Sequence, residues 1–455
     1  MTTAAARRDI AHLFHPYTNL ARHQETGPLV IVRGEGVRVF DEAGRDYIEG
    51  MAGLWCAALG FSEPRLAQAA ARQLETLGFY HLFGSKSHLP AIELAEALAA
   101  LAPEAAGKAP LSRVLFANSG SEANDTAIKL IRYYNNAIGR PAKKKIISRR
   151  RAYHGVTVAT ASLTGLPVNH REFDLPMAGV LHTDCPHHYR EARPGESEQA
   201  FSARLADNLE ALILAEGPET VAAFFAEPVM GAGGVVVPPA GYFEAILAVL
   251  RRHDVLLVAD EVICGFGRTG NLWGSQTYGL APDILTCAKA LSAGSAPISA
   301  TLVSETIWQA CVGQSATIGS FGHGFTYSGH PLSAAIALEA LKIYRERDIV
   351  ACVRRVAPRF QEGLRRFADH PLVGEVRGVG LVAGVELVAD KATKEPFPPA
   401  RTMGAQVAAL AQKHGLIIRA MGDTLAFSPP LIIGEGEIDE MLIRFGRALD
   451  EAAGA

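Results

Sequence analysis

VLLVADEVICGFGRTG, residues 255–270, and DILTCAKALSAG, residues 283–294, decide the fold. Each opens on a short apolar run, Val255 to Ala259 and Ile284 to Cys287, and then breaks at once into polar or glycine-rich sequence. Such runs are too short for helices and too continuously apolar for a strand with one wet face, so they read as strands buried on both sides. Val114 to Ala117, Lys145 to Ile147 and Ala222 to Ala226 repeat the pattern, with helical periodicity between them from about residue 60 to 325. Strand and helix in alternation predict an α/β fold, a mostly parallel sheet flanked by helices. Polar residues directly after each strand then fall at the carboxyl edge of the sheet, where open α/β sheets bind ligands.

Working outward, Pro64 to Leu77 reads as a helix: Ser62 or Glu63 caps it, Pro64 opens it, Leu66, Ala70, Leu74 and Leu77 share a face, and Gly78 closes it. After about residue 331 the pattern changes to a long helix (Leu332 to Arg347), short strands (Val382 to Leu387, Leu416 to Arg419, Thr424 to Phe427) and a last amphipathic helix near Glu437 to Ala453. VIVRGEGVRVFDEAGRDYIEG, residues 30–50, reads as a hairpin with turns at Gly34 and Gly44. The expected division is therefore an N-terminal segment, 1–60, that joins a small domain; a large domain, 61–325; and a smaller C-terminal α+β domain, 326–455.

With 455 residues, 49% hydrophobic and 20% charged, the chain has material for a large core, which excludes a peptide module or a disordered chain. Forty-four basic against 47 acidic residues give a net charge of −3, no field for a nucleic-acid partner. Six cysteines without a CxxC pair read as reduced thiols in a cytoplasmic protein, and MTTAAARRDIAHLFHP has no apolar core of a secretory signal. Thr306 to Leu338 carries no Asp, Glu, Lys or Arg, yet its five glycines and a proline suit a buried or interfacial loop rather than a membrane span.

Lys289 ends an apolar strand among small residues. A lysine so placed either snorkels to water or, desolvated, becomes a neutral amine able to attack carbonyls. Asp260, at the end of its own strand, either caps the next turn or holds a proton on a pyridine-type nitrogen. Val262 would face the same side and floor a flat ring. VLFANSGSEANDTAIK, residues 114–129, runs from a strand through Ser119, Gly120 and Ser121 into a helix. That is an ordinary N-cap or a seat for a phosphate. Tyr153 could cover the opposite ring face, with His154 and Gly155 shaping the turn. Phosphate seat, aromatic cover, carboxylate, apolar floor and amine, all just after strands, compose a site for pyridoxal 5′-phosphate.

LVADEVICGFGRTG, TCAKALSAG, NSGSEANDTAIK, AEPVMGAGGVVVPP and HGFTYSGHP together resemble the class III, fold type I pyridoxal-phosphate aminotransferases, in particular the omega-amino acid and amine:pyruvate group. The resemblance runs from GLWCAALGF near residue 55 to LIIRAMGD near 420. It implies that Lys289 binds the cofactor aldehyde and shuttles the proton, that Asp260 pairs with the ring nitrogen, and that Val262 and Tyr153 enclose the ring. Gly120 and Ser121, with Ser119 and His154 nearby, would hold the cofactor, and Glu227 matches a carboxylate close to it. Thr326 would reach the phosphate of a neighbouring subunit in a homodimer. Arg419 matches an arginine that binds the carboxylate of pyruvate or another 2-oxo acid and swings aside for an uncharged amine. Trp55 and Phe83 match aromatic walls of the substrate pocket. The implied reaction moves an amino group from an amine or omega-amino acid to pyruvate; a racemase or aminomutase on the same fold, or an enzyme confined to taurine or beta-alanine, is the alternative.

Other features read plainly. His182, Asp184, Cys185, His187 and His188 match no zinc spacing, so no metal is expected. Lys143 to Lys145 and Arg149 to Arg151 read as a solvated edge, and Glu386 with Asp390 as a solvated strand end. No G-x-G-x-x-G follows a strand in the manner of a dinucleotide fold.

Overall fold

A computed structural model describes residues 3–104 and 107–454; Met1, Thr2 and Ala455, which belong to the terminal segments of the expected division, lie outside the described residues. At its centre stands a seven-stranded sheet in the order Leu111–Ala117, Ser299–Ser304, Ile284–Cys287, Leu256–Asp260, Val221–Ala226, Lys145–Arg149, Val180–Thr183. The five strands from Ile284–Cys287 to Val180–Thr183 are parallel, while Ser299–Ser304 runs antiparallel to both of its neighbours. This is the α/β fold that the strand and helix alternation predicts.

The sheet is dry on both faces for a reason visible in one strand. All six residues of Val221–Ala226 are buried. Alternate side chains of a strand point to opposite faces. Phe224 therefore packs with Phe201, Leu209 and Ile246 of helices Glu198–Glu216 and Tyr242–Arg252. Phe225 packs with Ile128 and Ile131 of helix Gly120–Ala137. Neither face is left to water.

Two smaller sheets flank this body. The hairpin strands Ile31–Glu35, Arg38–Asp41 and Asp46–Glu49 take Leu416–Ile417 as a fourth, parallel member. Val373–Val379, Val382–Leu387, Thr424–Phe427 and Arg419–Met421 form the other, antiparallel throughout. Helices Ile349–Arg365 and Glu435–Ala453 pack with it, through Phe360 and Phe445 among others.

Several local expectations change. The hairpin turns at Gly36, with φ +55°, not at Gly34, which lies inside the strand opposite Val39 because Phe61 packs where its Cβ would be. The expected strand Leu416 to Arg419 divides: Leu416–Ile417 joins the first small sheet and Arg419–Met421 the second. Much of the charge-free run is helix, Glu305–Ile318 and the start of Pro331–Glu346, and only the stretch between them is irregular. Arg149 and Lys143 are buried while Arg150 is exposed, so the basic run is a solvated edge only in part; Arg149 donates to the Glu227 carbonyl at 2.7 Å. Glu386 is buried too, paired with Arg190 at 2.5 Å and Arg377 at 2.7 Å. Among the described residues no helix is long and apolar enough to cross a membrane.

Candidate active site

Nine of the residues singled out in the sequence line one cavity of about 380 Å³: Ser119, Gly120, Ser121, Tyr153, His154, Glu227, Asp260, Val262 and Lys289. Parallel strands explain the convergence, since Leu256–Asp260, Ile284–Cys287, Val221–Ala226 and Lys145–Arg149 all point their carboxyl ends the same way.

Asp260 is the electrostatic centre. Its Oδ2 accepts from Asn124 Nδ2 at 2.7 Å and meets His154 Nδ1 at 2.8 Å, and its Oδ1 accepts from the Val262 amide at 3.1 Å. Burial pushes the carboxyl up, but the bonds from His154, Asn124 and Val262 overcome it and hold Asp260 below the usual carboxylate range. Its partner in sequence does something else. Glu261 accepts from the Gly274 amide at 2.9 Å and from Ser275, capping helix Gly274–Tyr278, and burial pushes it up to about 7.

Lys289 follows its strand with φ +43°, a conformation uncommon for a residue with a side chain. Burial pushes its ammonium pKa down, against the pull of Cys56, Asp260 and Glu227. No hydrogen bond or ion pair is formed by its Nζ among the described residues, so the amine is available to a ligand in the cavity. Tyr153 is anchored through its backbone, which donates to Glu227 Oε1 at 3.0 Å; Glu227 Oε2 accepts from the Gly231 amide at 2.9 Å.

At the other end of the cavity helix Gly120–Ala137 begins. Ser119 caps it by accepting from the Glu122 amide at 3.2 Å, which leaves the amides of Gly120 and Ser121 without intrahelical partners. A Cβ on Gly120 would press to 3.0 Å from the Val262 methyls, so glycine lets the floor and the anion seat meet. Pyridoxal 5′-phosphate asks for an anion seat, a carboxylate held ionised for its ring nitrogen, an apolar face and an unpaired amine. The residues present fit it.

Four expected residues lie outside this cavity. Arg419 borders it: its charge acts on Lys289 and Tyr153, and its guanidinium lies 5.3 Å from the Trp55 ring centroid. Trp55 is buried there. Phe83 lines a separate cavity of about 810 Å³ with Phe116, Phe321 and His323, so within one chain it is no wall of the lysine cavity. Thr326 is exposed in the irregular stretch. The histidine cluster disperses: His182 bonds the Leu163 carbonyl, His188 the Glu196 carbonyl and His187 the Glu375 carboxylate.

Sequence reading missed Asn124, whose Oδ1 also accepts from Thr286 at 2.8 Å, and Cys56, which lines the cavity beside Lys289. Asn124 could have been found as a polar residue on the apolar face of its helix. Tyr17 was missed as well; its hydroxyl meets Tyr153 and accepts from Asn169 at 2.5 Å, and nothing in the sequence ties so remote a segment to the site.

Three comparisons place this arrangement among known proteins. The family model described as aminotransferase class-III matches residues 20–449. Gamma aminobutyrate transaminase 3 of Solanum lycopersicum is 52% identical over 436 residues, 96% of this chain and 83% of that protein. Vanillin aminotransferase of Capsicum frutescens is 51% identical over 424 residues, 93% of this chain and 92% of that one. A solved structure of the omega transaminase from Pseudomonas jessenii in complex with PMP superposes with a TM-score of 0.97 at 56% identity, covering 99% of both chains.

Replacing Asn124 with Ala removes one of the two side-chain donors to Asp260. A lost bond to a buried charge costs about 1.5–3 kcal/mol, so cofactor affinity is expected to fall roughly ten- to hundredfold. Retention of the cofactor through dialysis, followed by absorbance, measures this; unchanged retention would remove Asn124 from the site.

Proposed function

This chain belongs to the class III aminotransferases, PLP-dependent enzymes of fold type I, and from that premise we propose that it moves an amino group from an amine or omega-amino acid to pyruvate or a related 2-oxo acid. One observation carries the reading: an unpaired, desolvated Lys289 shares a cavity with an ionised Asp260, and Arg419 stands at its border.

When bound, the cofactor supplies an aldehyde that takes the amino group and a ring that draws electrons from the amine carbon. The chain does the rest. Asp260 would hold a proton on the ring nitrogen, and so keep the ring electron-poor. The Gly120 and Ser121 amides, at the positive end of their helix, would seat the phosphate. Val262 and Tyr153, both in the lining, would enclose the ring. Lys289 Nζ, its pKa lowered by burial, would take a proton from the amine carbon and return it across the nitrogen to the former aldehyde carbon. Glu227 acts through Tyr153, whose backbone it holds.

Arg419 offers a fork of donors to a substrate carboxylate, and Trp55 beside it limits the bulk that fits. Relatives named for gamma-aminobutyrate and vanillin support an omega-amino acid or an amine as donor.

The working unit is a homodimer on this reading. Phe79, Tyr80, Phe83, Leu89, Ile92 and Tyr327 are exposed, with Phe79 and Tyr327 edge to face at 5.7 Å, more apolar surface in one region than a lone chain favours. Thr326, next to Tyr327, would then complete the phosphate seat of the partner, and Phe83 its substrate pocket. The six free cysteines support a reducing compartment, the cytoplasm, as its place of work.

Lys289→Ala is expected to lower alanine formation from pyruvate by roughly 10²–10⁴-fold or more, the contribution of a positioned proton carrier; substantial residual transfer overturns the assignment. Arg419→Ala should raise KM for pyruvate roughly ten- to hundredfold, the worth of a charge-assisted pair, and change KM for an uncharged amine far less. Equal losses would show that Arg419 does not read the carboxylate. Light scattering should give a mass twice the 48.4 kDa chain or a multiple of that; a monomeric active holoenzyme would exclude the shared site.

A further inference from the structure

Glu49 has no part in the chemistry above, yet it is a buried carboxylate with no cationic partner among the described residues. It ends the strand Asp46–Glu49 and is only 4% exposed. Its Oε2 accepts from the Gly53 amide, and the carboxylate also takes the Met51 amide. Burial pushes its pKa up to about 7 against those two bonds. A carboxylate kept at such cost and tied only to backbone is holding that backbone in place.

The backbone it holds is strained. Ala52, Gly53 and Trp55 have φ of +47°, +68° and +61°, and only glycine takes such angles freely. This turn delivers Trp55 to Arg419 and Cys56 to the cavity beside Lys289. The residue after Glu49 is the second half of the device. Gly50 donates to the Ile417 carbonyl at 2.8 Å and accepts from the Ser428 amide at 2.6 Å, which fastens the same strand end to the segment leading into Arg419. A Cβ on Gly50 would come within 3.0 Å of that Ile417 carbonyl. Glu49 and Gly50 thus bind the Trp55 turn on one side and the Arg419 segment on the other.

We propose that Glu49 is a positioning residue for substrate selection: by accepting the Met51 and Gly53 amides it fixes the turn that sets Trp55 against Arg419 and Cys56 beside Lys289. The substrate half of this rests on Arg419 reading the carboxylate. The turn itself does not.

Glu49→Ala, Glu49→Gln and Glu49→Asp holoenzymes test it with two readouts. The first is KM and kcat for a 2-oxo acid; the second is the rate of Cys56 alkylation by iodoacetamide, mapped by peptide mass. Glu49→Ala is expected to raise the 2-oxo acid KM roughly tenfold, the effect of one lost bond to a charged acceptor, with a smaller change in kcat, and to speed Cys56 alkylation. Glu49→Gln, which keeps an acceptor oxygen, should restore both. Glu49→Asp, whose shorter side chain withdraws from Gly53, should resemble Glu49→Ala, and it decides the matter if Glu49→Ala does not fold. Unchanged Cys56 alkylation in Glu49→Ala and Glu49→Asp, or a Glu49→Gln enzyme as impaired as they are, overturns the proposal. Faster alkylation with an unmoved KM would leave the turn anchored by Glu49 but overturn its part in selection, and Arg419→Ala then shows whether the carboxylate reading has failed as well.

Discussion

A negative charge kept inside the protein is the constraint from which the site follows. Asp260 is buried, and a bare carboxylate there would take up a proton. Three donors prevent it: Asn124 from one helix, His154 from the loop that follows Lys145–Arg149, two places away in the sheet, and the Val262 amide from its own strand end. Those donors come from three separate elements, so the charge persists only when the strands, the helix and the turn are assembled together. Lys289 meets the opposite fate in the same cavity, because no side chain there compensates its burial with a hydrogen bond. One group is held ionised and the other is pressed toward neutrality. That contrast is what a site needs in order to bind a cationic ring and still offer a free amine.

The central sheet makes the contrast possible by being inaccessible to water on both faces. Phe224 and Phe225 occupy opposite layers, and helices cover each, so the ligand-binding polar groups gather at the carboxyl edge where the strands stop. Ser119 to Ser121, Tyr153, His154, Glu227, Asp260, Val262 and Lys289 follow strands that end at that edge, while Cys56 reaches the cavity from the Trp55 turn. The two residues proposed to face the substrate come from elsewhere, the Trp55 turn and the Arg419 strand, which the two small sheets carry.

Sequence reading located residues of the cavity where they lie next to a strand end. Lys289, Asp260, Val262 and the Ser119 to Ser121 turn each follow a short apolar run, and their order along the chain already reads as a cofactor site. It failed where a polar residue is held by something distant. Arg149, Lys143 and Glu386 look like surface charge in a linear reading, but each is buried on a partner far along the chain, such as the Glu227 carbonyl or the Arg190 guanidinium. Gly34 and Gly36 are equally good turn residues, and Phe61 decides between them by filling the space at Gly34.

The amino-acid sequence by itself determined the α/β class, the strand ends, the amine and carboxylate pair and the family, because these depend on residue type and local period. Only the tertiary structure decided that Asn124 and His154 both serve Asp260, that Phe83 and Thr326 lie outside the lining of their own chain's cavity, and that Glu49 accepts from the Gly53 amide of the Trp55 turn. Such relations join residues far apart in the chain, and hydrogen-bond geometry between them exists only once the elements have packed.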